Sequence, residues 1–257
     1  MKDIAIFGFK DSTVGQLLNI LPKGIRRKIK CFVSINSLKK IDIKVENNKR
    51  PNNKTSFIEN GKIFNLPVYF SKNPIEILKK HKIKKIFILE DTGLERFKIY
   101  NLIKNKSKIE ILSFIDKSTK IMCNNTIGEG TIIFPNNYLG YKSDIGKCCF
   151  IQSGCQIEHH NVIGNFCDIN PILTTGGFSK ISDFCEINMS VNIINKIKIG
   201  SYLQIGAGFL VIKNIISMIG LINANSGNLG SLVNALDFLG IKIEIITKSS
   251  QISKFQK

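Results

Sequence analysis

The chain has 257 residues, 43% of them hydrophobic and 22% charged, which excludes wholesale disorder and allows one large domain or two modest ones. No apolar run reaches the roughly 18 residues that span a bilayer, and the opening segment MKDIAIFGFK lacks a signal-peptide core, so we expect a cytoplasmic protein without membrane insertion. The net charge of +18 arises almost wholly in residues 1–120, and without a nucleic-acid-binding motif we interpret these lysines as solvated surface and expect no nucleic-acid partner.

Residues 1–115 alternate between predicted strands and helices. Apolar runs predict strands at IAIFGF, KCFVSI, NLPVYF, KKIFILE and IEILSFI, and amphipathic runs predict helices near VGQLLNIL, PIEILKKHK and LERFKIYNLIKN. The polar stretch KKIDIKVENNKRPNNKTSFIENGK is interpreted as a loop. This order predicts a Rossmann-like α/β domain with a small parallel sheet, whose ligands lie at the carboxyl ends of the strands.

The turn after the first strand lies where a glycine-rich nucleotide-binding loop would be found. Only Gly8 and Gly15 remain of a possible GxGxxG pattern, so the dinucleotide-binding motif is not present. An ordinary turn in which Ser12 or Thr13 caps the following helix is the alternative.

Residues 116–216 carry a six-residue repeat, and its register extends backwards to Ile109, Ile115 and Ile121. A period of six fits neither a helix nor a half-buried strand. It fits a coil with three flat faces of six residues, each of which points one side chain inward. The repeat therefore predicts a left-handed parallel β-helix of about five coils. All the inward residues but one are aliphatic: Ile127, Ile133, Leu139, Ile145, Ile151, Ile157, Ile163, Ile169, Thr175, Ile181, Ile187, Ile193, Ile199, Ile205 and Val211.

Glycine and cysteine follow the same register. Glycine or asparagine often comes directly after the inward residue, and since tight corners favour residues that tolerate positive φ, we expect the corners there. Four cysteines come four residues after an inward residue, so we interpret them as small core side chains. Seven cysteines without a CxxC pair predict neither a disulfide framework nor a zinc site. The glycines and asparagines are Gly128, Gly140, Gly146, Gly164, Gly176, Gly200, Gly206, Asn170 and Asn188, and the four cysteines are Cys149, Cys155, Cys167 and Cys185.

Two of the three histidines are adjacent, and they follow an inward residue. His159 and His160 come directly after Ile157 and Glu158, and histidine is the side chain that can act as a general base near neutral pH. Gly177 follows His159 by 18 residues, so the repeat places this glycine one coil away, beside His159. A glycine there lets a thioester approach the backbone, whose N–H can stabilise an oxyanion.

The α/β domain, the unbroken hexads and the run QSGCQIEHHNVIGNFCDINPILTTGG together resemble the NeuD/PglD-like sugar acetyltransferases over about residues 1–215. The resemblance implies acetyl-CoA-dependent acetylation of a nucleotide-linked amino sugar or a sialic-acid-like sugar in surface-polysaccharide or glycan biosynthesis. It implies a homotrimer with the coenzyme bound between neighbouring β-helices. It divides the chain into an α/β nucleotide-sugar-binding domain at 1–115 and a β-helix acyltransferase domain at 116–216.

The same resemblance implies roles for the histidines and for the first turn. His159 matches the general base that deprotonates the acceptor amine or hydroxyl. His160 occupies the next position, which is usually acidic in the family. Gly8, Lys10 and Asp11 fall where the nucleotide-sugar acceptor is held. The mechanism implied is direct acetyl transfer, with no metal and no covalent intermediate.

The resemblance also implies a coenzyme site made of four residues. Gly177 lies beside the base, and Met189 and Ala207 fall at positions that line the acetyl-CoA site. Asp168 stands where relatives carry a second histidine near the coenzyme, which is a departure from the family pattern.

The segment at 217–257, MIGLINANSGNLGSLVNALDFLGIKIEIITKSSQI and the residues around it, departs from the hexads. It resembles the amino-terminal strand, loop and helix of the glutamine amidotransferase subunit of imidazole glycerol phosphate synthase. No Cys or His follows Cys185, so the nucleophile of that family is missing and we expect no glutaminase activity.

Several alternatives stay open at this point. His159 can be a solvated corner residue, His160 an outward polar residue and Asp168 part of a solvated turn. Cys155 is the one cysteine with a possible base partner for a nucleophile arrangement, because it lies near His159 in sequence. The whole chain can be a trimeric β-helix scaffold that has lost turnover, or a subunit whose residues 218–257 dock a partner in an amidotransferase complex.

Overall fold

The computed structural model describes residues 2–9, 11–35 and 61–216. The predicted amidotransferase-like segment at 217–257, Lys10 and most of the polar stretch lie outside these residues. The chain divides into two compact units, one ending at Leu112 and the other beginning at Ser113. None of the helices in the described ranges combines the length and apolarity that crossing a bilayer requires.

The first unit is built from short strands that alternate with helices. The strands are β1 (Ile4–Phe7), β2 (Ile29–Ser34), β3 (Lys62–Ile63), β4 (Leu66–Phe70), β5 (Lys85–Ile88) and β6 (Glu110–Ile111), and the helices are α1 (Asp11–Ile20), α2 (Lys23–Arg26), α3 (Pro74–Lys80) and α4 (Gly93–Lys106). The predicted strands and helices are confirmed, but α2 and β3 were not predicted. The predicted strand IEILSFI is two strands, because its first part pairs in this sheet as β6 and its last part, Phe114–Ile115, pairs in the second unit.

The sheet of the first unit is mainly parallel. Its strand order is β3-β4-β2-β1-β5-β6, and the β3–β4 pair alone among these is antiparallel. All four residues of β1 are buried, as expected of a central parallel strand covered on both faces. The chain passes from β1 to β2 on one side and later to β5 on the other, so the sheet has a switch point between β1 and β5. The Rossmann-like prediction is met in part, since β6 has two residues and β3 runs antiparallel.

The second unit is a three-walled parallel β-helix, which we call the prism. Paired strands are 18 residues apart throughout, so one coil contains one strand of each wall and no loop interrupts the coils. Wall 1 contains β7 (Phe114–Ile115), β10 (Ile132–Ile133), β13 (Phe150–Ile151), β16 (Asp168–Ile169), β19 (Glu186–Ile187) and β22 (Gln204–Ile205). Wall 2 contains β8 (Lys120–Ile121), β11 (Tyr138–Leu139), β14 (Gln156–Ile157), β17 (Thr174–Thr175), β20 (Asn192–Ile193) and β23 (Leu210–Val211). Wall 3 contains β9 (Thr126–Ile127), β12 (Asp144–Ile145), β15 (Val162–Ile163), β18 (Lys180–Ile181) and β21 (Lys198–Ile199). These stacked parallel walls fit the predicted left-handed parallel β-helix.

The inward residues form one continuous apolar core along the prism. From Ile133 to Val211, every predicted inward side chain is at most 3% exposed, so each coil buries its aliphatic layer against its neighbours. Ile115 and Ile127 are partly buried against the same core. The extension of the register to Ile109 is wrong, because this residue directly precedes β6 in the first unit.

The corners of the prism differ from the prediction. Positive φ recurs every sixth residue from Asn124 to Gly208, three positions after the inward residue, and includes non-glycine residues such as His160 at +58°. The glycines that directly follow the inward residue have no positive φ. At most of these positions crowding favours glycine instead, as at Gly146, where a Cβ would lie 2.5 Å from the carbonyl carbon of Gly164 in the next coil.

The four cysteines predicted to fill the prism are buried, which confirms their assignment to the core. Cys149, Cys155, Cys167 and Cys185 are each at most 2% exposed. Burial raises the pKa of Cys155 to about 11, so at neutral pH this thiol stays protonated and is a poor nucleophile. Cys155 directly precedes strand β14 and is buried in the core, whereas His159 follows the same strand and is exposed at a corner. The two residues therefore do not form a nucleophile–base pair.

Candidate active site

The predicted histidine and glycine meet at the junction of walls 2 and 3, which we call the His159 corner. A Cβ added to Gly177 would lie 2.5 Å from Cε1 and 2.7 Å from Nε2 of the His159 ring. Such distances are well inside van der Waals contact, so the imidazole lies directly against the glycine backbone. Any side chain at position 177 would displace the ring. The predicted neighbourhood of His159 and Gly177 is therefore present in the structure.

The Nδ1 atom of His159 forms a hydrogen bond with the ring of His160. Its Nδ1 lies 3.0 Å from Nδ1 of His160, so one of these two nitrogens carries a hydrogen and donates it to the other. When His159 is the donor, its Nε2 holds the free lone pair and can accept a proton. In that state His160 replaces, as a neutral acceptor, the anionic partner that an acidic residue would supply.

Aromatic rings hold His160 in place. The His160 ring stacks on Phe178 with centroids 4.6 Å apart and planes at 14°, and the Tyr141 ring meets it edge-on at 5.6 Å. Phe178 also contacts His159 edge-on at 5.2 Å. The main chain fixes the same residues, since His160 N–H donates to Tyr141 O and Phe178 N–H donates to His159 O. His160 is thus part of a packed column of rings and is not a free surface residue.

Gly177 also offers a hydrogen-bond donor next to the imidazole. Its carbonyl accepts from Lys196 N–H at 2.9 Å, but its own N–H has no acceptor among the residues that the structure describes. An N–H that has no acceptor of its own is suited to bind a developing negative charge on an oxygen. Imidazole base and amide donor therefore occur together at this corner.

The other residues expected at the coenzyme site lie elsewhere on the prism. Asp168 is in β16 of wall 1. Met189 and Ala207 follow strands of wall 1 on adjacent coils, at the junction of walls 1 and 2, and Met189 is 55% exposed. Wall 2 separates this junction from the His159 corner. One chain therefore does not bring the four expected coenzyme residues to a single place.

The first turn of the first unit contains a glycine with a demanding backbone. Gly8 has φ of +90°, and a Cβ there would lie 2.6 Å from the carbonyl oxygen of Leu89. The turn thus packs against the end of β5, at the switch point of the sheet, where α/β folds bind ligands. Lys10 and the side chain of Asp11 lie outside the described part of the chain.

Sequence reasoning missed Glu90, which lies at the same edge of the sheet. Glu90 directly follows Leu89 and its amide is close to Gly8. Its Oε1 is buried and has no hydrogen-bond partner among the described residues. Burial, with smaller contributions from Glu95 and Asp91, raises the pKa of Glu90 to about 7. The available signal was an acidic residue at the carboxyl end of the predicted strand KKIFILE.

Glu90 gives the stability of the protein a specific pH dependence. Because its pKa is about 7 in the folded chain and 4.5 ordinarily, the folded state holds this proton more tightly, and stability falls as pH rises from 4.5 to 7. We expect Glu90→Gln to raise the unfolding free energy by about 3 kcal/mol at pH 8 and to leave it unchanged at pH 4. Urea unfolding at both pH values measures this difference. An equal loss of stability in variant and wild type between pH 4 and pH 8 would contradict it.

Within the described ranges, no cluster of three or more His, Cys, Asp or Glu side chains could hold a metal ion.

Comparison with known proteins gives matches among solved structures alone, since no protein-family model and no curated protein matches this chain. A mutant of GDP-perosamine N-acetyltransferase from Caulobacter crescentus, solved with CoA and GDP-perosamine, has a TM-score of 0.66 at 14% identity over 84% of this chain and 93% of that one. The acetyltransferase domain of PglB from Neisseria gonorrhoeae has a TM-score of 0.65 at 14% identity, over 84% and 93% of the two chains. The same domain with acetyl coenzyme A has a TM-score of 0.62 at 15% identity, over 83% and 92%. These likenesses show that the chain shares their fold.

Proposed function

We propose that this protein is an acetyl-CoA-dependent acetyltransferase that acts on a nucleotide-linked amino sugar. The observation that carries the proposal is the His159 imidazole, which lies against Gly177 and is held at Nδ1 by His160. The absence of a side chain at Gly177 lets the imidazole lie against an amide N–H that has no acceptor among the described residues, and a base beside such a donor is what direct acyl transfer needs.

In the proposed reaction, His159 with its hydrogen on Nδ1 takes the proton of the acceptor amine at Nε2. The nitrogen lone pair attacks the thioester carbonyl carbon, and the Gly177 N–H stabilises the resulting oxyanion. Collapse of this intermediate breaks the carbon–sulfur bond, and the proton on Nε2 passes to the departing sulfur. The products are an N-acetyl sugar and the free thiol of CoA. A hydroxyl acceptor would follow the same steps and give an ester.

The acceptor is proposed to bind the first unit by its nucleotide. The Caulobacter crescentus protein of the same fold was solved with GDP-perosamine, a nucleotide-linked amino sugar. In this chain Gly8, Lys10 and Asp11 are the proposed contacts, and the orphan carboxyl oxygen of Glu90 at the same edge is suited to accept a hydrogen bond from a ribose or base.

The cosubstrate site is proposed to form between copies of the chain in a homotrimer. Gly177 lies at the His159 corner, whereas Asp168, Met189 and Ala207 lie on wall 1 or at the junction of walls 1 and 2. A neighbouring prism that presents its wall 1 to the His159 corner would bring the two sets together. The exposed Phe178 and Met189 would then be covered.

The proposal is tested with purified protein, acetyl-CoA and a panel of UDP- and GDP-linked 4-amino sugars, with a sialic acid as the hydroxyl acceptor. We expect thiol release that depends on one of the sugars, and a product that gains one acetyl group. Hydroxylamine cleaves an ester but not an amide, so it separates O- from N-acetylation. The matched control is the same sugar with its amino group already acetylated. Thiol release that no acceptor increases would contradict the proposal.

A further inference from the structure

One rung of the hydrogen-bond ladder along the prism is missing, and it is the rung next to His159. From Asp116 to Ile194, the residue after each inward side chain donates its N–H to the carbonyl 17 residues later, as Gly140 does to Ile157 and Gly176 does to Ile193. Glu158 is the exception within the described prism: its N–H makes no bond to the Thr175 carbonyl.

A side-chain hydroxyl takes the place of that carbonyl. Glu158 N–H donates to Thr175 Oγ1 at 3.1 Å, and Asn161 Nδ2 donates to the same oxygen at 2.6 Å. Thr175 is the one inward position of the repeat that is not aliphatic, and both it and Asn161 are 2% exposed. The exception in the repeat and the exception in the ladder are thus the same residue.

The carbonyl of Glu158 is held from inside as well. It accepts from Asn161 Nδ2 at 2.8 Å and from Ser143 Oγ at 2.8 Å, while Asn161 Oδ1 accepts from Ser179 N–H at 2.6 Å. Asn161 therefore uses both amide hydrogens and its oxygen. Side chains of three coils fix the N–H and the C=O of the residue that precedes His159.

We infer that Thr175 and Asn161 are positioning residues that set the place of the His159 ring against Gly177. This inference rests on the proposed function. It adds two residues that support the reaction without touching the reacting atoms. Without the hydroxyl, the Glu158 N–H would be left without a partner in a dry core, which is unfavourable. The backbone would then turn to restore the regular bond to the carbonyl of residue 175. That turn would move His159, and a displacement of about 1 Å can cost 10²-fold in rate.

The test compares three variants. Thr175→Val removes the hydroxyl and keeps the shape, and Thr175→Ser keeps the hydroxyl. The matched control is Thr131→Val, since Thr131 is also buried, donates to Gly146 O at 2.7 Å and accepts from Cys149 N–H at 3.0 Å, at the junction of walls 3 and 1. Both valine variants lose one buried hydroxyl with two hydrogen bonds, but only one of these hydroxyls is near His159.

We expect Thr175→Val to lower kcat by about 10–10² with little change in KM, Thr175→Ser to keep most of kcat, and Thr131→Val to match wild type. In parallel, ¹⁵N NMR of the labelled histidine rings without substrates reports the tautomer and partner of His159. We expect its Nδ1 signal to change in Thr175→Val alone. Equal kcat and equal spectra for the two valine variants would overturn the inference. Should wild type acetylate no sugar, the proposed function fails, and the spectra still decide whether Thr175 positions His159.

Discussion

Replacing His159 with alanine is expected to lower kcat by a factor of about 10²–10⁴, the usual contribution of a positioned general base. The variant removes the nitrogen that accepts the proton of the acceptor, but it leaves Gly177, Phe178 and the backbone of the corner in place. We therefore expect KM for acetyl-CoA to change little. The measurement is thiol release at saturating acetyl-CoA and acceptor, for the variant and wild type at the same pH.

The chain offers a matched control for this variant. His81 is the histidine outside the prism, where it stacks on Tyr69 with ring centroids 4.4 Å apart. His81→Ala removes an imidazole whose ring partner, Tyr69, is in the first unit, and it changes no residue of the His159 corner, so we expect its kcat to equal that of wild type. Equal rates for His159→Ala and wild type would contradict the role of His159 as the general base. They would favour the hypothesis that the protein is a scaffold that has lost turnover.

The prism was predictable because the inward aliphatic residues recur at the same spacing in every coil, apart from Thr175. One aliphatic residue in six gives a period that no helix or plain strand produces, and the same arithmetic places His159 beside Gly177, 18 residues later. The strands of the first unit were predictable for a related reason, since apolar runs such as that of β5 stand between polar turns. In both units the signal is local and repeats along the chain.

The corners show where periodicity stops being informative. Either positive φ or close approach of the next coil could explain a glycine after the inward residue, and the spacing of the glycines does not distinguish the two. The structure shows close approach at Gly128 and Gly146, and it puts positive φ at residues such as His160 and Phe178, whose side chains give no sign of it. Their backbone N–H groups bond to carbonyls of the preceding coil, and these bonds hold them at a positive φ that residues with a side chain do not favour.

The candidate site shows a similar limit. The sequence marks Thr175 as the irregular inward residue, but it does not show that the hydroxyl meets Asn161, because that contact depends on how two coils stack. Likewise Glu90 is one of 19 acidic residues, and only the packing around β5 shows that one of its oxygens is buried without a partner. Hydrogen bonds between coils and unpaired buried atoms depend on the three-dimensional packing, so no spacing in the sequence predicts them.

Gly177→Ala is expected to reduce kcat by about 10²-fold while changing the melting temperature little. The new Cβ would lie 2.5 Å from Cε1 of His159, and Gly177 has no positive φ that would strain an alanine. The clash is therefore with the far end of a side chain, which can rotate away. Stability is then largely preserved, but the imidazole leaves the position from which it takes the proton.

The neighbouring glycine is the control, because its clash is with backbone. A Cβ on Gly176 would run into the main chain at Asn195 in the next coil, which cannot rotate away, so we expect Gly176→Ala to destabilise the prism by about 1–3 kcal/mol. In a His159→Ala background, Gly177→Ala should lower kcat no further, because the ring it displaces is already gone. Additive losses in that double variant would mean that the alanine methyl group disturbs the reaction independently of His159, and that displacement of the ring is not the cause.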